Sequence, residues 1–547
     1  MLTRGYDYVI VGAGSSGCLL ANRLSADPSC RVLLIETGGA DRHFSLKLPV
    51  GYYRTIYDPR FSRVFETEPG EGTAGRAIAW PRGRVVGGSS SINGLIFIRG
   101  QHEDFDDWER LGANGWDYQS VLPFFKRYEG YEGGESEFHG GSGEFKVSNL
   151  RVRHPACDAW LHAASEFGLP PNPDFNGPTT YGVGRYHLAI GRHWRTSSAT
   201  AFLHPIAARS NLTILSGAHA TRVLFEGKYA KGVEFIFAGR LRSVDAYCEV
   251  VLSAGAIQSP QLLQLSGVGP ADLLRRFGIP VILDLRGVGQ NLQDHYQART
   301  IVRLRSRISL NDEIRHPLKL ARMAVDWALK GSGALTVGAG QVGGAACTEY
   351  AVGSRPDIQF NVMPLSVDKP GEPLHRYSGF TASVWQCHGK SRGRIELRSG
   401  DPLDQPRIVP NYFTEDIDRK TIVAGLRMLR EIYRQPSFRD LYEVEIVPGG
   451  TVASDAALWR FAQTTGGTVF HCCGTCAMGA SEYSVLDSEL RVRGVERLRV
   501  IDASVMPQIT SANTNAVSLM IGEKGAHHVL KGPSPTRRSS SAMALTD

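Results

Sequence analysis

The stretch Tyr8-Val9-Ile10-Val11-Gly12-Ala13-Gly14-Ser15-Ser16-Gly17 decides the fold. Its first four residues form a short apolar run of the kind that makes a buried strand. Glycines at 12, 14 and 17 then build a turn, and Leu19, Leu20 and Leu24 mark the apolar face of a following helix. Residues 31–35 supply a second strand that closes on Glu36. In such a βαβ unit each glycine has a physical use: Gly12 permits the tight turn, Gly14 lets the backbone approach a pyrophosphate, and Gly17 allows close helix–strand packing. The helix start, at Ser15 and Ser16, offers unpaired N–H groups and the positive end of a dipole to phosphates. Glu36 is spaced to accept from a ribose hydroxyl, and an acid there favours an unphosphorylated ribose. A glycine turn alone reads equally well as an ordinary βα connection. With the strand before it and the acid after it, it predicts a dinucleotide site, without separating FAD from NAD.

Outward from this unit, the chain runs to 547 residues, too long for one small domain and suited to two with interleaved segments. Hydrophobic residues at 42% and charged residues at 21% allow a large core. The formal charge of +7 is spread along the sequence, whereas nucleic-acid binders concentrate Lys and Arg on one element, so no nucleic-acid partner is expected. Nine cysteines, an odd number without regular spacing, fit reduced thiols in a cytoplasmic setting better than a disulfide framework. No charged-then-apolar leader precedes the first strand, and no apolar run reaches the ~18 residues of a transmembrane span. The sequence gives no positive sign of peripheral membrane contact.

Further along, residues 73–100 are rich in Gly and Ser, and the polar, Gly-rich residues 130–143 predict a surface loop. Residues 210–237 alternate in strand fashion, residues 249–253 predict a buried strand, and a helix is expected from Ser259 to Leu265. Residues 300–465 change character, mixing a basic helical segment at 319–330 with strand-like runs around Phe360 and Val384. A strand at 498–501 and an apolar helix at 516–530 follow, and the Ser/Pro/Arg-rich tail 533–547 is expected to be disordered.

Three segments extend the dinucleotide reading. Residues 83–94 (GRVVGGSSSING), 255–269 (GAIQSPQLLQLSGVG) and 288–295 (VGQNLQDH) stand in this order along the chain. They resemble the two signatures and a further common segment of the glucose–methanol–choline (GMC) oxidoreductase family, and the similarity runs from Tyr6 to about Leu530. The resemblance implies a fold of mixed α/β and α+β class. A discontinuous Rossmann-like FAD-binding domain (1–153, 206–298, 467–532) would carry a substrate-binding domain built on a sheet with helices (154–205, 299–466). It also implies flavin contacts from Val86, Gly88, Asn93, Gly94, Leu95 and Ile96, adenine contact from the backbone of Val223, diphosphate and ribityl contact from Asp502 and Ala503, and a further contact from Asn515. Some relatives join a histidine covalently to the flavin where this chain has Ile92; isoleucine cannot form that bond, so noncovalent FAD is expected.

His471 lies in the sequence Val469-Phe470-His471-Cys472-Cys473-Gly474-Thr475-Cys476-Ala477-Met478-Gly479, which resembles the family segment whose histidine faces the reactive edge of the flavin. An imidazole suits the removal of a hydroxyl proton near neutral pH. Asn513, in Ser511-Ala512-Asn513-Thr514-Asn515, falls where the family places histidine or asparagine, and its amide could hold the alcohol oxygen. The same asparagines could instead cap the helix that follows. Cys472, Cys473 and Cys476 have no second cysteine pair near them, so buried thiols are expected rather than a metal site. The expected activity is FAD-dependent oxidation of a small-molecule alcohol to an aldehyde or ketone, with oxygen, a quinone or another acceptor taking the electrons. Choline dehydrogenase, a peroxide-producing alcohol oxidase and a non-oxidative flavin reaction are the alternatives.

Overall fold

The computed structural model describes residues 5–532, so the expected tail at 533–547 lies outside the described residues. The opening strand Gly5–Val11 sits inside a seven-stranded sheet, paired in parallel with Val32–Glu36 on one side and Arg240–Leu252 on the other. Leu212–Ser216 extends the parallel half beyond Val32–Glu36. Arg240–Leu252 is long enough to serve two partners on its far edge. Residues 240–245 pair antiparallel with Tyr229–Phe237, and residues 250–252 pair in parallel with Leu498–Val500, which returns the C-terminal segment to the first unit. The sequence shows this strand only from 249 because its first half lies near the edge of the sheet and is mostly exposed and polar.

The helix Ser15–Leu24 fills the βα crossover, and the C-terminal helix Thr514–Lys531 packs on it. Ser16 Oγ donates to Ser518 O at 2.7 Å, and the Arg23 guanidinium bonds both carboxylate oxygens of Glu523. The helix expected from Ser259 begins one turn earlier, at Gly255. Pro260 then stands inside it and cannot donate to the carbonyl of Ala256. The Thr475 hydroxyl takes that carbonyl at 2.6 Å, so a residue of the His471 segment makes the earlier start possible.

A second sheet is antiparallel throughout, in the order Val342–Ala346, Ile358–Met363, Gly379–Gln386, Tyr296–Leu304 and Tyr442–Val447. Its two faces differ by the two-residue period of a strand. Phe360, Val362, Ala382 and Val384 point into a core with Trp160 of helix Pro155–Glu166 and Leu426 of helix Asp416–Arg434. Their neighbours Asn361, Met363, Thr381 and Ser383 point the other way and form the wall of a cavity. Ala199, Ala201, Phe202 and Leu203, expected in the second domain, pack with the core of the first sheet. Phe65, Ile78 and Trp80, expected in the first, pack with the second.

The segment 130–143 is the expected surface loop over 132–138, which are without regular structure and mostly exposed, but its ends turn inward. Glu129–Tyr131 pairs in parallel with Phe145–Val147, and both Glu129 and His139 are buried. Glu129 accepts from Arg99 at 2.6 Å and from the Gly140 N–H at 2.9 Å, so paired polar groups turn inward here. Among the described residues, no helix is long and apolar enough to cross a membrane.

Candidate active site

An elongated cleft runs between the two sheets. Its two parts share Ser15, Arg82, Ser89, Ala503 and Ser518.

Gly12, Gly14, Ser15, Ser16, Glu36, Gly88, Asp502 and Ala503 line the first part. Gly12 has φ of +105°, and a Cβ on Gly17 would lie 1.9 Å from the Gly12 carbonyl, so Gly17 faces the strand rather than the cleft. No side chain caps the helix Ser15–Leu24, which leaves its first N–H groups open to an anion. Glu36 accepts from Ala13 N at 2.9 Å and Gly38 N at 2.7 Å, and burial pushes its carboxyl up to about 7 against those two bonds. Asp502 accepts from Gly255 N at 2.9 Å and Ser504 N at 2.8 Å, with burial again raising its carboxyl. Gly87 N donates to Ala13 O at 2.7 Å, which ties the second glycine segment to the first turn. These are the features a dinucleotide needs: open N–H groups for its phosphates, glycine backbone it can approach, and a carboxylate for its ribose.

Asn93, Gly94, Leu95, Ile96, Ile92, His471, Asn513 and Asn515 line the second part. Two expected contact residues are not on either wall. Val86 packs into the first core with its N–H on Gly39 O. Val223 is buried with its N–H on Ser266 Oγ at 2.8 Å, and Ala218, His219 and Ala220 form the wall on that strand instead.

His471 follows a strained turn: Phe470 has φ of +68°, with its N–H held by Thr468 Oγ1 and its carbonyl by Arg82. The His471 N–H donates to Asp294 at 2.8 Å. The ring is buried in contact with two others. Its Nδ1 lies 2.9 Å from His295 Nδ1, and its Nε2 lies 3.0 Å from Asn513 Nδ2. Asn513 occupies the N-cap position of Thr514–Lys531 but its side chain makes no capping bond, being turned to His471. Asn515 accepts from Ser15 Oγ at 2.8 Å and so joins the two ends of the cleft.

The protons along this chain follow from its far end. His295 Nε2 lies 2.8 Å from the Cys387 carbonyl, which can only accept, so Nε2 carries a hydrogen. Burial holds the His295 imidazole down at about 4, so it is neutral and its Nδ1 has a lone pair. His471 Nδ1 must then be the donor. Burial, reinforced by His295 and Arg82, keeps His471 well below the usual imidazole range, so it too is neutral. Its remaining lone pair, on Nε2, accepts from the Asn513 amide and points into the cavity. The geometry therefore presents a neutral base beside an amide donor. His295 and Asp294 lie in the segment 288–295, but sequence reasoning gave neither a role, because nothing in one chain says which distant histidine a given histidine will touch.

Cys472, Cys473 and Cys476 are buried free thiols, pushed up in pKa by burial. The cavity wall mixes apolar residues (Ile56, Met363, Leu365, Val367, Phe470) with Tyr52, Tyr53, Arg82 and Arg299, and none of the lining residues is Asp or Glu.

Family models described as GMC oxidoreductase match residues 6–297 and 389–522. Similar proteins include the mitochondrial choline dehydrogenase of Homo sapiens, 39% identical over 96% of this chain and 90% of that protein. An alcohol dehydrogenase [acceptor] of Pseudomonas putida is 39% identical, covering 96% of both chains. Among solved structures, a pyridoxine 4-oxidase from Mesorbium loti superposes with a TM-score of 0.86 at 30% identity, over 96% of this chain and 99% of its own. A formate oxidase of Aspergillus oryzae does so with 0.89 at 26% identity and the same coverage.

Proposed function

The chain belongs to the GMC oxidoreductase family, and from that premise we propose that it oxidises an uncharged, largely apolar alcohol, with His471 as base. It is an FAD-dependent oxidoreductase acting on CH–OH groups. The observation that carries the mechanism is the hydrogen-bonded chain Cys387–His295–His471–Asn513, which puts the lone pair of His471 Nε2 on the cavity side, held by the Asn513 amide.

FAD would be held by the open helix start at Ser15, by Glu36 on a ribose, and by the Asp502–Ala503 and Asn93–Ile96 backbone. When bound, it supplies the acceptor for the hydride that leaves the carbinol carbon. A substrate hydroxyl that replaces the His471–Asn513 hydrogen bond donates to His471 Nε2 and accepts from Asn513 Nδ2. His471 takes the hydroxyl proton as negative charge grows on the oxygen, and Asn513 stabilises that charge and fixes the carbon's orientation. His471 Nδ1–H stays on His295 throughout, so the ring does not rotate as it gains its proton. Nothing at Ile92 can bond covalently to a flavin, which supports noncovalent FAD. The interleaved segments divide into an FAD-binding unit on the first sheet and a substrate-binding unit on the second. Unpaired cysteines support a reducing, cytoplasmic location.

Choline is a poor match for this cavity. Of the groups that hold a quaternary ammonium, the cavity has the rings of Tyr52, Tyr53 and Phe470 but no carboxylate, and Arg82 and Arg299 oppose a cation. The relatives divide on the acceptor, one being an alcohol dehydrogenase [acceptor] and another an oxygen-dependent choline dehydrogenase, each 39% identical; we take a dye or quinone rather than oxygen. Anaerobic mixing with a panel of alcohols tests the reading. Aliphatic and aryl alcohols should bleach the flavin and choline should do so slowly, with dye reduced faster than peroxide forms in air, and acid precipitation should release free FAD. Fastest bleaching by choline would overturn the substrate class, and no bleaching by any alcohol would overturn the function.

A further inference from the structure

The helix Pro317–Lys330 lies on the outside with apolar residues turned away from the protein. A surface helix ordinarily points its apolar stripe inward, and here only Met323 is buried. Leu318, Val325 and Leu329 recur along one face and are 76%, 53% and 74% exposed. On the opposite side of the helix, a half-turn from this stripe, Trp327 meets Phe44 and Trp194 edge-on, with ring centroids 6.4 and 4.9 Å away. The Trp327 indole N–H is satisfied by His193 O at 2.9 Å.

Four stretches of chain, 42–47, 151–154, 191–195 and 314–331, are bound together at this place. Arg195 N donates to Lys47 O at 2.9 Å, and Arg151 Nη1 donates to Gly331 O at 3.2 Å. Their exposed cations include Arg153, Arg192, Lys319, Arg322 and Lys330, and the single acid among all four stretches is Asp326, which pairs with both Lys330 at 3.0 Å and Arg322 at 3.7 Å. We propose that this face docks on the surface of an anionic lipid bilayer, with Leu318, Val325 and Leu329 entering the headgroup region.

Two physical arguments support a membrane over a protein partner. An exposed apolar stripe flanked by cations of one sign is the make-up of an interfacial helix. A second copy of the chain would bring the same excess of positive charge against itself, whereas anionic headgroups attract each Lys and Arg near them. The location gives docking a use. Met323, on the inner side of the helix, packs in one cluster with Leu365 and Val367, which line the substrate cavity. Docking would therefore set that end of the cavity beside the bilayer, where an apolar alcohol and a lipid-soluble acceptor both dissolve.

Sedimentation of the full-length, FAD-loaded protein with vesicles tests this. The protein should pellet with vesicles of phosphatidylcholine and phosphatidylglycerol, stay in solution with phosphatidylcholine alone, and be released as salt rises. The double variant Leu318→Glu/Leu329→Glu should bind the anionic vesicles more weakly by on the order of tenfold or more, with its melting curve and its flavin reduction by a soluble alcohol unchanged. Lys319→Ala/Arg322→Ala should weaken binding without that apolar change. Failure of the wild type to pellet with anionic vesicles overturns the proposal. So does a wild-type dimer that the leucine variant converts to monomer, since a second copy would then cover the face.

Discussion

At the scale of single residues, the site depends on which nitrogen of His471 carries the proton. Loss of a base typically costs about 10²–10⁴-fold in rate, so His471→Ala should slow flavin reduction by that order while FAD stays bound. Asn513→Ala should cost less, and the double variant should be little worse than His471→Ala, because groups acting on one hydroxyl are not additive. Rapid-mixing kinetics of the four proteins measures this. The base works in its neutral form and is held below the usual imidazole range. The rate of flavin reduction should therefore be level through neutral pH and fall only on acidification well below 6.5. His295→Ala removes the acceptor that fixes the His471 tautomer and opens the site to water. The expected result is a loss of roughly ten- to hundredfold, short of that for the base itself, together with an acid limb moved toward higher pH. A purely structural role for His295 would lower the amount of folded protein without moving that limb.

At the scale of elements, the helix Gly255–Leu265 shows how distant segments complete one another. Its Pro260 leaves the Ala256 carbonyl without its helical partner, and the Thr475 hydroxyl replaces the missing N–H. Thr475→Val keeps the shape and removes the donor, leaving a buried carbonyl unsatisfied. Such a group costs about 1–3 kcal/mol, and a denaturant titration should show that loss with an unchanged slope. Because Thr475 lies four residues after His471, the same bond anchors the base-bearing loop to the floor of the dinucleotide cleft.

At the scale of the molecule, a buried carboxylate ties three distant segments of the chain together. Asp104 accepts from Arg355 at 2.7 Å and His388 at 2.6 Å, and its other oxygen accepts from Gln101 N at 2.9 Å and from both N and Oγ of Ser511 at 2.8 Å. It thereby joins the helix His102–Arg110, the second unit and the turn that presents Asn513. Burial pushes its carboxyl up, but His388, Arg355 and Ser511 outweigh this and hold it down at about 2. The folded value lies below the ordinary 3.8, so this stabilisation is present above about pH 4 and is lost as pH falls through about 2. Breaking one side of a buried pair costs ~3–5 kcal/mol, so Asp104→Asn should unfold at markedly lower denaturant at neutral pH. The gap to wild type should close toward pH 2.

What the sequence determined by itself was local or carried by long motifs. The βαβ unit at Tyr8–Glu36 could be read because a strand, a glycine turn and a helix each leave a short-range pattern, and the resemblance of 83–94 and 255–269 placed FAD beside it. His471, Asn513 and Asn515 were found through their motifs, and the structure brings all three to one cavity. Only the tertiary structure decided the rest, since each remaining fact is a contact between residues far apart in the chain. His295 meets His471 across 176 positions, which makes one a donor and the other a base. Glu129, just before the polar loop 130–143, is buried by its ion pair with Arg99, 30 positions away. The outward stripe of Leu318, Val325 and Leu329 has the spacing of an ordinary core-facing helix. Helical periodicity fixes that apolar residues share a face, but only the packing of the other elements decides whether that face points inward or out.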